Sequence, residues 1–217
     1  MSPADAIIAA VLVPLAGAVL IALSGRWPNL RETMTLATAV ILFAVVLSLV
    51  PGVAAGERPT AVLVQTLPGV PLAFEVEPLG MLFALIASGL WIVTSVYSIG
   101  YMRGNNEHNQ TRFYVCFAIA LSSTMGVALA GNLLTLFVFY EVLTLSTYPL
   151  VTHHGDEESV KAGRTYLGIL IATSIGLQLV AILWTWVVAG TLDFRLGGIL
   201  AGRADGLTTA VLLALYA

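Results

Sequence analysis

The sequence predicts an all-α integral membrane protein: a bundle of six transmembrane helices followed by an incomplete seventh. Three observations lead there. Of 217 residues, 59% are hydrophobic and only 10% charged, whereas soluble domains carry about 25% charged residues. The apolar residues fall in unbroken runs without the alternation of a membrane β-barrel, so each segment must satisfy its own backbone polar groups, as a helix does. Six of the runs approach the roughly 17 to 25 residues that a helix needs to cross hydrocarbon.

In chain order the runs cover about residues 6–23, 33–50, 79–100, 113–130, 133–151 and 166–189, and residues 207–217 begin a seventh. They are expected to form one transmembrane domain, 1–217. The seventh has 11 residues, too short to cross at about 1.5 Å per residue. Either the chain is the front part of a longer protein, or another polypeptide completes that helix. The N-terminus, MSPADAII, has Asp5 and no Lys or Arg before its apolar run, unlike the positive start of a cleaved signal peptide, so a retained first helix is expected. The connection from Pro51 to Pro78 contains GERP and LPGVP, which predict turns with a short extended segment forming a surface cover. Gly131 and Asn132 alone join the fourth and fifth runs, which predicts a tight antiparallel helix pair. Pro14 and Pro149 each free a backbone carbonyl one turn earlier and are expected to kink their helices.

Placing the N-terminus outside puts Arg26, Arg31, Arg103, Arg112, Lys161 and Arg164 on the cytoplasmic side and leaves Arg58, Arg195 and Arg203 outside. Cytoplasmic connections carry the excess of Lys and Arg, so this orientation in a cell inner membrane is the expected one. A net charge of −3 without a dense basic patch excludes nucleic acid as a partner. Cys116 stands alone inside an apolar run and reads as a small buried hydrophobe. His153, His154, Asp156, Glu157 and Glu158 lie in THHGDEESVKAGR; sequence neighbours point apart on a helix and no second spaced pair exists, so a solvated loop is expected rather than a metal site. Asp156, Glu157 or Ser159 then caps the next helix. No haem, flavin or iron–sulfur ligand set is present, so neither cofactor nor metal is expected, and the chain offers no catalytic chemistry of its own.

One acid breaks the fifth run. In GNLLTLFVFYEVLTLSTYPLV, Glu141 lies eight residues past Leu133, roughly 12 Å into a core about 30 Å thick. An ionised group at that depth costs at least about 2.5 to 3.5 kcal/mol and marks an ion or proton path by default. The alternative is a protonated glutamate that bonds a neighbouring helix as structural glue. Phe137, Val138, Thr144, Leu145 and Tyr148 share its helical face, so Thr144 and Tyr148 provide hydroxyls along one side. The fourth run brings Ser122, Ser123 and Thr124 to mid-depth, where they bond across helices or only allow close packing. Gln178, with Ser174 one turn before it, is the best visible partner for Glu141. Lys161 and Arg164 share a face at the cytoplasmic edge; they set topology, or bias and feed the Glu141 proton. Trp184 and Trp186 suit an interfacial belt.

YSIGYM at the end of the third run, RFY at the start of the fourth, and GNLLTLFVFYEVLTLSTYPLV with the basic segment after it resemble the antiporter-like proton-translocating membrane subunits. These are shared by respiratory complex I, membrane-bound hydrogenases and Mrp-type cation/proton antiporters. The likeness covers roughly residues 97–171. Tyr140 stands as the aromatic before the acid, and Thr147-Tyr148 replaces the Ser-Tyr pair of the family. The resemblance implies that Glu141 matches the fifth-helix glutamate, which pairs with a seventh-helix lysine during proton transfer. The only lysine of this chain is Lys161, so that partner is missing. The expected role is a subunit that moves protons alone, or protons in exchange for a monovalent cation such as sodium or potassium, among other membrane subunits in a lipid bilayer. Glu141, Lys161, Gln178, Thr144 and Tyr148 would carry the proton, and any redox chemistry would lie in partner subunits. The alternative is a scaffold that does not transport.

Overall fold

The computed structural model describes residues 1–67 and 69–216; Pro68 of the LPGVP turn, the Leu67 side chain and Ala217, the last residue of the seventh run, lie outside the described residues. Among the described residues, six helical rods are long and apolar enough to cross a membrane. They are α1 (Pro3–Leu23), α2 (Pro28–Ala54), α3 (Pro78–Gly104), α4 (Gln110–Ala128), α5 (Leu133–Val151) and a continuous rod from Glu157 to Ala189. That rod consists of α6 (Glu157–Thr173), a π-helical turn (Ser174–Leu179) and α7 (Val180–Ala189); α8 (Gly206–Tyr216) is shorter. This is the six-plus-incomplete-seventh helical architecture that the hydropathy pattern predicts.

Local chemistry starts the helices. Ser2 and Asp5 form a capping box at α1, with Pro3 in the first turn. Pro28 and Pro78 likewise stand in the first turns of α2 and α3, there without a side-chain cap. Asp156 caps α6 by accepting from the Ser159 N–H at 2.9 Å; hydrogen bonding from the Ser159 side chain first, and from its backbone second, holds the carboxyl below the usual carboxylate range. Gly190, with φ of 69°, ends α7 in the left-handed region.

The Pro51–Pro78 connection is more ordered than turns with a short extended piece. It continues α2 to Ala54 and then forms an antiparallel hairpin of β1 (Thr60–Leu67) and β2 (Val70–Glu75), pairing Thr60 with Glu75. The hairpin is anchored to the α4–α5 turn: Gly131 N–H donates to the Ala73 carbonyl and Glu75 N–H to the Leu129 carbonyl, both at 2.9 Å. Phe74 is thereby fully buried. The hairpin is a cover tied by backbone bonds to the connection that precedes Glu141.

The main core joins α1, α2, α3, α4 and the hairpin through Ile7, Ile21, Leu42, Trp91, Met125 and their neighbours. Ser122 donates across from α4 to the Val11 carbonyl of α1 at 2.7 Å, one turn before Pro14. Ser123 and Thr124 instead return to carbonyls of their own helix. A smaller cluster joins α5 to α7 through Phe137 and Ile182, with Leu192 and Val70; Trp186 packs against it and Trp184 stays partly exposed. Val93, Tyr97 and Val187 are among the apolar side chains that point outward, as expected when the surrounding solvent is lipid.

Two glycines set the helix spacing around α5. At Gly126 of α4 an added Cβ would fall within the Phe139 ring of α5. At Gly163 of α6 it would collide with the Thr152 methyl and approach the Tyr148 ring. Small residues at these crossings let the backbones approach closely.

Candidate functional site

The site is built on α5. Asn132, fully buried, starts the helix by accepting the Thr135 N–H at 2.8 Å. Its amide donates to the Pro71 carbonyl at 2.8 Å. The Thr135 hydroxyl donates to the Asn132 side-chain oxygen and accepts from the Ala73 N–H, each at 2.9 Å. On the other side, Leu133 N–H donates to the Leu192 carbonyl at 3.0 Å. The mouth of α5 is therefore stitched to both the hairpin and the segment after α7.

Two turns further on lies Glu141. Its side chain is half-buried, and its Oε1 atom is buried with no hydrogen-bond partner among the described residues. A buried polar atom without a partner carries a full desolvation cost, so this oxygen calls for a proton, a water or a cation. Thr144 is buried, Tyr148 half-buried and Thr152 buried. At about 100° per residue these three lie on the same side of α5 as Glu141, and Gly163 seals the Tyr148–Thr152 end.

The structure does not join the other expected site residues to Glu141. No bond between Gln178 and Glu141 exists among the described residues, so the expected amide partner is not realised there. Gln178 sits half-buried inside the π turn, an insertion that the hydropathy pattern does not announce. Because α6 meets α5 at Tyr148 and Thr152 while α7 meets it at Phe137, the middle of α5 is level with this turn. Lys161 is also displaced from the acid. It is exposed, two residues before Gly163, and Thr152 beside Gly163 is already eleven residues beyond Glu141, roughly 16 Å along the helix. Lys161 does not pair with Glu141 among the described residues. Leu145, expected on the acid's face, is exposed.

His153 departs from the solvated loop expected of it. Its side chain is 12% exposed and its ring lies edge-on to Phe113, 5.9 Å between centroids. Burial first, and then the Arg112 guanidinium, hold its proton affinity below the ordinary imidazole value. His154 remains exposed.

A second polar cluster escaped sequence reasoning. Helix α2 starts before the apolar run, so Arg31 and Glu32 lie inside it and are buried, at 4% and 6% exposure. Arg31 donates to the Gln110 side-chain oxygen at 2.8 Å and to Thr111 at 3.3 Å, and stacks 5.2 Å over the Tyr114 ring. Arg103 grips Glu32 from α3. The signal available beforehand was an acid between two arginine-bearing segments at one end of the bundle.

These features define a multi-pass membrane protein, helical but for one surface hairpin, with a half-buried carboxylate midway along its fifth helix. Residues 66–114 match the sequence family described as NADH-ubiquinone oxidoreductase (complex I), chain 5 N-terminus, and residues 130–215 match NADH:quinone oxidoreductase/Mrp antiporter, TM. The chain belongs to the antiporter-like membrane subunits of complex I and Mrp-type assemblies. It is 28% identical over 190 residues to a probable K(+)/H(+) antiporter subunit of Rhizobium meliloti (strain 1021), covering 84% of this chain and 34% of that protein. It is 30% identical over 113 residues to an Na(+)/H(+) antiporter subunit of Alkalihalophilus pseudofirmus, covering 49% of this chain and 14% of the relative. The chain thus spans between 14% and 34% of the length of these relatives. The fold is shared with a chain of the membrane-bound sulfane sulfur reductase, an archaeal respiratory membrane complex: TM-score 0.78 at 22% identity, over 95% of this chain and 32% of that one.

Proposed function

We propose that this chain is a proton-translocating, antiporter-like subunit of a multi-subunit complex in the cell inner membrane, with Glu141 as its proton-exchanging group. Its helices and hairpin form one transmembrane domain that corresponds to the front of such a subunit. The observation that carries the reading is the buried, unpartnered Oε1 of Glu141 in a membrane-spanning helix. Such an oxygen, without a hydrogen-bond donor midway along a spanning helix, is placed to exchange a proton or to meet a cation. Thr144 and Tyr148 supply hydroxyls along its face, and Gln178, half-buried in the π turn of the next rod, adds an amide to the path. Lys161 tunes uptake from the membrane edge. The relatives' names point to potassium or sodium as the exchanged cation. The N-terminus is assigned to the outer side, because Arg26, Arg31, Arg103, Arg112, Lys161 and Arg164 gather at the opposite end.

The test is coupled transport by the complex in vesicles. Glu141→Gln should abolish proton or cation exchange while the complex assembles normally. Full transport by that variant refutes the role.

The scaffold reading is favoured by one specific observation: among the described residues no cation pairs with Glu141. If Glu141→Gln leaves transport intact and deletion of the chain disperses the complex, the chain is a scaffold.

A further inference from the structure

We propose that His153 is the proton-loading residue of the arginine-rich end, delivering protons to Glu141 along the hydroxyls of Thr152, Tyr148 and Thr144. This inference rests on the assignment of Glu141 and extends it to the route by which the acid is filled.

Few buried side-chain polar atoms among the described residues lack a partner. They are Arg31 Nε, Tyr114 OH, Glu141 Oε1 and both ring nitrogens of His153. The last two residues belong to one helix and its first turn beyond, twelve residues or roughly 18 Å apart. A structural histidine is normally fixed by at least one bond through its ring. His153 is held by other means: Arg112 donates to its backbone carbonyl at 2.9 Å, and its ring rests on Phe113. The imidazole is therefore positioned with both nitrogens unengaged.

The ionisable groups around it suit loading and release. Glu107, from the α3–α4 connection, places Oε2 3.9 Å from Nε2, beyond a hydrogen bond to the neutral ring but close enough to pair with the protonated one. Arg112 from α4 and His154, its ring 6.0 Å away, oppose that charge. Lys161 and Arg164 of α6 are exposed. Both ring nitrogens are shielded from solvent, so the proton arrives by way of the Glu107 side of the ring; Glu107 holds it there without trapping it, because burial and Arg112 favour its departure.

From there the track descends α5. Thr152 lies next to His153, Tyr148 four residues earlier, Thr144 four before that and Glu141 three before Thr144. From Thr152 to Glu141 the successive groups are about 4.5 to 6 Å apart along the axis, intervals that a water would bridge, and the Thr152 hydroxyl, which donates to the Tyr148 carbonyl at 3.0 Å, turns from that carbonyl to pass a proton on. Each hydroxyl or water accepts one proton and donates its own onward. The chain ends with the Glu141 carboxylate protonated, the imidazole neutral, and no net change between. Gly163 shields the upper part of the track by bringing α6 against Tyr148 and Thr152.

The experiment measures proton uptake by the intact complex in vesicles, with a pH-sensitive dye and across the range around the ordinary imidazole value. His153→Gln should slow uptake roughly 10²-fold, the scale of a lost proton-transfer group, and remove the imidazole limb of the pH profile. Added imidazole should restore much of the rate to an assembled His153→Ala complex. An unchanged rate and pH profile in His153→Gln overturns the proposal. So does loss of rate in both variants with assembly intact and no imidazole rescue, which assigns His153 to packing on Phe113. Glu141→Gln is run alongside. If it abolishes uptake while His153→Gln does not, only the His153 route fails; if it has no effect, the Glu141 assignment fails and this route falls with it.

Discussion

Arg103 of α3 grips both oxygens of Glu32 on α2, donating from Nε to Oε1 at 2.9 Å and from one Nη to Oε2 at 2.5 Å. The same Nη reaches the Asn29 side-chain oxygen at 2.5 Å. Glu32 also touches Arg31 at 3.4 Å, so one buried acid balances two guanidinium groups. Removing it leaves Arg31 buried and uncompensated. Glu32→Ala should therefore destabilise the protein by about 3 kcal/mol, as expected when a buried ion pair loses one partner. Arg103→Gln should cost less, because Arg103 is half-exposed while Arg31 still faces Glu32. Denaturant unfolding in detergent micelles compares the two; equal losses would contradict the ranking.

Thr135 ties the fifth helix to the hairpin with one hydroxyl used twice. Thr135→Val keeps the shape but leaves the Ala73 N–H without its acceptor. The expected loss is about 1 to 3 kcal/mol, with faster proteolysis of residues 60–75 because the hairpin loses a tether. Thr135→Ser should retain most of the stability.

Gly126 leaves no room for a side chain because Phe139 lies over it. Gly126→Val should cost about 1 to 3 kcal/mol through overpacking, and Phe139→Leu in the same chain should recover part of it. The melting temperatures of the two variants decide this; a fully tolerated valine would mean that α4 and α5 are not in close contact.

His153 makes stability depend on pH with a defined sign. Its folded-state proton affinity is lowered from the ordinary 6.5, so in the window just below that value the unfolded chain binds more protons than the folded one. Stability therefore falls as pH drops through about 6.5 and below, and is fully present above it. Melting temperatures of the wild type should drop progressively relative to His153→Gln as pH is lowered past about 6.5, because the glutamine takes up no proton, and the difference between the two should be constant above that range. Parallel curves would show that His153 titrates alike in both states.

The helices, their approximate extents and the placing of Glu141 midway along the fifth were legible in the sequence, because crossing hydrocarbon is a one-dimensional requirement. A run of sufficient length must be helical, and counting residues along it fixes where its one carboxylate stands. Gly131 and Asn132 likewise demanded a tight turn, and Asp156 a helix start. Which helix faces which was not legible. In lipid nearly every face is apolar, so hydropathy does not point the side chains, and small residues and a few polar contacts choose the partners. That choice leaves Lys161 far from Glu141, draws His153 under Phe113 and buries Arg31 with Glu32. Gln178 illustrates the same division: its depth follows from counting residues, whereas the π turn in which it sits carries no hydropathy signal and is visible only in the folded rod.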